Sequence, residues 1–165
     1  MADGHSKSLA LDTNVLFDLA LGLRVAHSFK DAFQARGYAL KVPPTVMAEI
    51  AKLSVDGDDR QRELAVSTLK SLKEWKITPI ILSDVENEYR KNFMSFVEER
   101  SILPSGEIND SRILAETSIG GVQVLVTSDK GILQADQAAL SLAFDDAGLA
   151  VVTPAHPARL HKALR

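Results

Sequence analysis

Two stretches decide the fold: Leu9-Ala10-Leu11-Asp12-Thr13-Asn14 and Val122-Gln123-Val124-Leu125-Val126-Thr127-Ser128-Asp129. Each is a short apolar run that stops at a polar turn carrying an aspartate. Short continuous apolar runs bounded by turn residues read as strands buried on both faces, the kind found in parallel sheets. Working outward, Val15 to Leu21 opens a helix, and Ala26 to Ala35 is an amphipathic stretch ending at Gly37, a C′ glycine. Tyr38 to Val42 reads as a strand stopped by Pro43-Pro44, with Pro44 suited to the first turn of the next helix. Helices are expected over Thr45–Leu53, Arg60–Lys76, from a Ser83 or Asp84 cap to about Arg100, over Glu107–Ile119 and over Gln134–Ala147. Thr78–Leu82 reads as extended, and Leu149–Val152 as the last strand. Strands alternating with helices predict an α/β fold, a three-layer α/β/α sandwich with a central, mainly parallel sheet.

Composition narrows the chemistry. The chain has 165 residues, enough for one domain with a sizeable core. The expected organisation is a flexible N-terminal tail over 1–7, one domain over 8–157 and a basic C-terminal tail over 158–165. There are no cysteines, which excludes disulfides and every thiolate metal site and fits a reducing, cytoplasmic setting. A net charge of −3 argues against a protein that coats nucleic acid by charge alone, but leaves room for acids that hold cations against a phosphate backbone. No signal-peptide core or run of about 20 apolar residues is present, so no membrane association is expected.

Four carboxylates stand out by position. Asp12 and Asp129 each follow a strand; in a parallel sheet both project from the carboxyl edge, where open α/β sheets bind ligands. Taken singly, each also reads as a turn or N-cap residue, Asp129 more readily than Asp12, which sits tightly against a buried strand and a very apolar helix. Glu49 flanks the Val46, Ile50, Leu53 stripe of its helix and needs a partner, because an unpaired buried charge is costly. Asp110 shares a face with Leu114 and Thr117, and Glu107 precedes it by about one turn as an auxiliary acid. Acids converging on one edge repel one another unless cations are present, and oxygen-only clusters suit Mg²⁺ or Mn²⁺.

With these residues in view, the chain resembles the PIN-domain nucleases, the fold of VapC-type toxins and many RNA-processing nucleases. The resemblance is carried by Leu-Asp-Thr-Asn-Val-Leu at 11–16, Pro-Pro-Thr-Val-Met-Ala-Glu-Ile at 43–50, Asn-Asp-Ser-Arg-Ile-Leu-Ala-Glu at 109–116 and Val-Leu-Val-Thr-Ser-Asp-Lys-Gly at 124–131. Val-Val-Thr-Pro at 151–154 matches the final strand, and extra helical sequence separates the Glu49 and Asp110 motifs. The resemblance implies a Mg²⁺- or Mn²⁺-dependent ribonuclease with one or two ions at Asp12, Glu49, Asp110 and Asp129. It implies hydrolysis leaving a 5′-phosphate and a 3′-hydroxyl. Asn14 and Ser128 fall where such domains carry polar groups near metal or phosphate, and Lys130 is a candidate phosphate contact or a local ion pair. Implied partners are an RNA substrate, a second copy in a homodimer, and an antitoxin or other protein if the chain is a toxin of a toxin–antitoxin pair.

Other residues fit less. His5, His27, His156 and His161 never pair at i, i+4, so no zinc site is expected. Trp75, Phe93 and Phe96 are at helical spacings that favour core packing over base stacking. Arg90, Lys91, Arg112, Arg159, Lys162 and Arg165 are candidates for an RNA path or plain surface charges. Two rival classes remain: a catalytically silent PIN-fold module that binds RNA or protein, and an Asp-nucleophile phosphatase. Haloacid-type phosphatases want Asp-x-Asp after the first strand, and Asn14 breaks that pattern.

Overall fold

The computed structural model describes residues 7–164. The strands are β1 (Ser8–Leu11), β2 (Ala39–Val42), β3 (Ile77–Pro79), β4 (Val124–Val126) and β5 (Thr153–Ala155). They form one parallel sheet in the order β3-β2-β1-β4-β5. The chain winds outward from β1 through β2 to β3, then crosses back to place β4 on the other side of β1. The gap beyond the β1 and β4 carboxyl ends is therefore the topological switch point, the place where open sheets of this kind take ligands. Ala10 is in register with Leu125 and Leu11 with Val126, so Asp12 and Thr127 follow at matching positions.

Helices flank the sheet: α1 (Thr13–Ala20), α2 (Arg24–Ala35), α3 (Pro44–Asp56), α4 (Asp59–Ser71), α5 (Asp84–Glu99), α6 (Ile108–Ile119), α7 (Lys130–Leu133), α8 (Gln137–Asp146) and α9 (Pro157–Ala163). The expected three-layer α/β/α arrangement is observed. The β1 residues Leu9, Ala10 and Leu11 are buried together with Leu40, Val42, Leu125 and Val126, as a strand covered on both faces requires. Burial of these runs, with Leu16, Ile50, Ile113 and Leu114 packed from the helices, is the main force holding the sheet in place. Phe93 and Phe144 stack at 4.3 Å between ring centroids and join α5 to α8. Phe93 is core, as its spacing predicts, and Trp75 and Phe96 pack partly buried against that core.

Several helix ends follow local chemistry. Ser83 and Glu86 close a reciprocal capping box at the start of α5, and Asp58 and Gln61 do the same for α4. Gly37 takes the left-handed conformation (φ +85°) that lets the chain turn from α2 into β2.

Several boundaries differ from expectation: β3 is Ile77–Pro79 where Thr78–Leu82 is expected, β4 begins at Val124 and not Val122, and four larger differences have local causes. The last strand is Thr153–Ala155, not Leu149–Val152. Leu149 N–H donates to Phe144 O to close α8, and Ala150 O accepts the Ser118 hydroxyl, so those backbone groups are unavailable to the ladder. The helix expected to reach Lys76 stops at Ser71, where the chain reverses through Lys76 at φ +58° and Ile77 N–H returns to Leu72 O. The helix expected over Gln134–Ala147 is two helices, because Asp129 caps α7 and Asp136 caps α8 afresh by accepting from Ala138 and Ala139 N–H. The expected basic tail after 157 is helical through Ala163: His156 caps it, Pro157 occupies its first turn, and α9 packs on α2. The expected flexible tail over 1–7 lies outside the described residues except for Lys7, whose carbonyl accepts from Ala39 N–H.

Candidate active site

Asp12 ends β1 and caps α1. Its Oδ1 accepts from Thr13 N–H at 2.8 Å and its Oδ2 accepts from the Thr127 hydroxyl at 2.7 Å. Thr127 Oγ1 in turn accepts from Asp129 N–H at 3.0 Å. A chain of hydrogen bonds thus runs from the β4 terminus to the β1 acid. Asp12 is 5% exposed. Burial pushes its pKa up; the Thr127 and Thr13 hydrogen bonds oppose that, and the charges of Glu49 and Asp129 add to it.

Glu49 comes from α3. Its Oε2 accepts from the Thr13 hydroxyl at 2.7 Å, and its Oε1 accepts from Asn109 Nδ2 at 3.0 Å. The partners are neutral donors, so Glu49 is oriented without being charge-compensated. Asp129 caps α7, with Oδ1 accepting from Ile132 N–H at 3.1 Å. The turn and N-cap roles open to Asp12 and Asp129 are therefore real, and each still leaves its carboxylate at the shared edge. A Cβ built on Gly131 would stand 3.1 Å from Asp129 Oδ1, so the glycine gives that carboxylate its room.

Asp110 lies in the first turn of α6. Its Oδ2 is buried and has no hydrogen-bond partner. Burial, a side-chain hydrogen bond with Glu107, and the charges of Asp129, Glu107 and Asp12 push its pKa up to about 8; it is the Oδ2 atom that is left without a partner. These mutual influences place the expected acids in one electrostatic neighbourhood. Among the described residues no Lys or Arg forms an ion pair with Asp12, Glu49, Asp110 or Asp129.

Asn14 bridges the two strand ends: its Oδ1 accepts from Ser128 N–H at 3.1 Å, while its Nδ2 is 3.5 Å from Asp12 Oδ2, a marginal contact. Ser128 thus contributes through its backbone. Lys130 is exposed at the start of α7 and forms no ion pair among the described residues, so the local-pair reading of that residue fails there. Glu107 occupies the N-cap position of α6 without making a capping bond.

Thr13, Asn109 and Thr127 were not singled out by sequence reasoning. Their signal was adjacency: Thr13 and Thr127 flank strand-end acids, and Asn109 directly precedes Asp110. Glu116 was missed for a different reason. It is fully buried, accepts from Thr45 N–H and Oγ1 at 2.8 Å each, and pairs with Arg90 at 2.6 Å. Arg90 is consequently a structural partner and not a free cation for an RNA path. Lys91 pairs with Glu88 on the surface.

No family model matches the chain, and no curated protein sequence matches it. Solved structures do. VapBC2 from Rickettsia felis, bound to a DNA fragment from its promoter, aligns with a TM-score of 0.61 at 14% identity over 89% of this chain and 98% of that one. The fold is PIN-like. FitAB bound to an IR36 DNA fragment aligns at 0.54 with 15% identity, covering 90% and 94%. FitAcB from Neisseria gonorrhoeae aligns at 0.50 with 17% identity, covering 88% and 96%. At these identities the likeness is one of fold.

Within this PIN-like fold the donor set fits a hard divalent cation in its chemistry. It is all oxygen, it carries excess negative charge, and one buried carboxylate oxygen is orphaned. Among the described residues no three of these side chains are already drawn into a cluster that would hold a metal ion. Among the described residues no helix is long and apolar enough to cross a membrane.

Proposed function

We propose that this protein is a divalent-metal-dependent ribonuclease, cutting RNA phosphodiester bonds internally by hydrolysis at the switch-point acids. The observation that carries this is Asp110 Oδ2, buried without a partner, in a carboxyl whose pKa is raised first by burial and the Glu107 hydrogen bond and then by the charges of Asp129, Glu107 and Asp12. A structural carboxylate at that depth would have a donor or a cation of its own, as Glu116 has.

Asp12, Asp110 and Asp129 would hold one or two Mg²⁺ or Mn²⁺ ions, with Glu49 completing the set. When bound, such an ion supplies charge neutralisation at the phosphate and activation of water. The chain's own residues do the rest. Thr127 and Thr13 fix both oxygens of Asp12. Asn109 and Thr13 fix Glu49 so that its carboxylate orients the attacking water. Asn14 holds the β4–α7 turn against β1. Water attacks phosphorus in line, the P–O3′ bond breaks, and the products are a 5′-phosphate and a 3′-hydroxyl. Lys130 is available to meet the phosphate from solvent. The neighbouring structures are two-component assemblies bound to DNA or crystallised together, which supports a protein antitoxin as the partner and a toxin–antitoxin pair as the setting.

The test is cleavage of labelled structured RNA, single-stranded RNA and single-stranded DNA with Mn²⁺, Mg²⁺ or EDTA. Cleavage of RNA that needs metal and falls at least about 100-fold in Asp12→Asn supports the proposal. Retained cleavage in Asp12→Asn, Asp110→Asn and Asp129→Asn overturns it. Mn²⁺ binding without turnover on any substrate favours the silent module.

A further inference from the structure

A cavity of about 310 Å³ opens beside the acids, between the C-terminal half of α5, the 101–107 loop and the first turn of α6. Its apolar wall is Met94, Val97 and Leu103; its polar groups include Glu98, Glu107 and Ser111. It touches the acid cluster at two points. Glu107 lines it and occupies the N-cap position of the helix whose first turn carries Asp110. Pro104, also lining it, lies within 3.4 Å of a Cβ built on Gly131, the same point that is 3.1 Å from Asp129 Oδ1.

The charged groups share one sign. No Lys or Arg lines the cavity, while two carboxylates and three serine hydroxyls do. Ser111 has spent its proton on Ile108 O at 2.9 Å, so toward the cavity it offers only lone pairs. Such a lining repels a phosphate and accepts from N–H₂ groups. The volume sits at the bottom of the roughly 300–1,000 Å³ range of small-molecule sites. We infer that this cavity is a base-reading subsite: it takes one unstacked nucleobase bearing an exocyclic amino group, next to the bond that is cut. Single-stranded RNA is read through such splayed bases, and carboxylates accept from the cytosine amino group. The apolar wall of Met94, Val97 and Leu103 faces the ring, and Glu98 with Ser111 discriminates its edge. A lysine-bearing peptide is the competing occupant of an acceptor-rich cavity, and the neutral apolar wall favours the base over it.

The inference rests on the ribonuclease proposal, so the test separates the two. Binding of labelled eight-nucleotide 2′-O-methyl RNAs of cytosine or of uracil is measured by fluorescence anisotropy with Mn²⁺ present, beside the Mn²⁺-induced rise in melting temperature. The expected result is about tenfold tighter binding of the cytosine strand, since a site built to pair with an amino group rejects a base that lacks it. Met94→Trp, which fills the half-buried wall, and Glu98→Leu, an exposed change that leaves folding alone, should each bring the two affinities within about twofold while keeping the Mn²⁺ shift. Equal binding by the wild type, or a preference untouched in both variants, overturns the subsite and leaves the nuclease standing. Absence of both RNA binding and the Mn²⁺ shift overturns both. Displacement of no RNA but tight capture of an oligolysine peptide, lost in Glu98→Leu, replaces the base by a peptide.

Discussion

Asp110→Asn should stabilise the metal-free protein at alkaline pH and do nothing for it below about pH 3.8, where the carboxyl is protonated in the folded and unfolded chain alike. In the folded chain Asp110 titrates near 8, against an ordinary 3.8. The native state therefore binds more protons than the unfolded state between those limits, and stability falls as pH rises through the window. At about 1.36 kcal/mol per pH unit the full displacement corresponds to roughly 5–6 kcal/mol. Asp110 is only half-buried, however, and water screens the neighbouring charges, which reduces the effect to about 1–2 kcal/mol. For a domain of this size that is about 3–6 °C in melting temperature. Urea denaturation in EDTA at pH 3.5 and pH 8.5, either side of the window, reads it directly. Wild type should lose about 1–2 kcal/mol more than Asp110→Asn between the two values, because asparagine has no proton to lose. Other titrating groups are common to both proteins and cancel in the difference. Mn²⁺ at pH 8.5 should restore the wild type and leave Asp110→Asn nearly unchanged, since a ligand of the native state stabilises it by mass action. Parallel stability–pH curves for the two proteins would refute the claim that Asp110 is an uncompensated carboxyl.

Arg90→Met leaves the fully buried Glu116 with only Thr45 as partner and should cost about 3 kcal/mol in urea denaturation, while Arg90→Met with Glu116→Met recovers most of it; a cost below about 1 kcal/mol for the single change would show the pair to be incidental. Thr127→Val removes the donor to Asp12 Oδ2 and the acceptor of Asp129 N–H, and should weaken Mn²⁺ binding about tenfold in a calorimetric titration. Unchanged affinity there would mean that Thr127 only supports the fold. Phe93→Ala opens a hole against Phe144 between α5 and α8 and should cost about 3–5 kcal/mol, read as a lower melting temperature with the Mn²⁺ shift preserved.

The sheet was legible because its strands are buried on both faces. Leu9 to Leu11 and Leu125-Val126 leave no ambiguity of face, and parallel pairing follows from the helices between them. What the sequence did not disclose was competition for backbone groups. Leu149 to Val152 has strand composition, yet its hydrogen bonds close α8 and satisfy Ser118. The register of β5 is set instead by Thr153 N–H on Gln123 O, a contact between segments thirty residues apart that no local pattern encodes. The C-terminal helix was hidden in the same way: its charges suggested a solvated tail, and only the meeting of Leu160 and Leu164 with the core reveals a packed face.

At the acids, strand-end position identified Asp12 and Asp129, but position alone says nothing about partners. Helix α6 makes the point by carrying two acids with opposite fates. Glu116 is the more deeply buried, and burial as a criterion would choose it as the functional group. It accepts two hydrogen bonds from Thr45 and an ion pair from Arg90, so its charge is already spent. Asp110, nearly two turns earlier, has less burial, no cation and an oxygen without a donor. The fold can evidently bring a guanidinium to a carboxylate on this helix, and it brings one to position 116 and none to position 110. Leaving Asp110 charged beside Glu107, Asp12 and Asp129 costs stability that nothing in the described chain returns. The metal-free chain relieves that cost by keeping a proton on Asp110, and the charged form is relieved only by a cation from outside, which is why the absence of a partner, more than depth or proximity to a strand, marks the site.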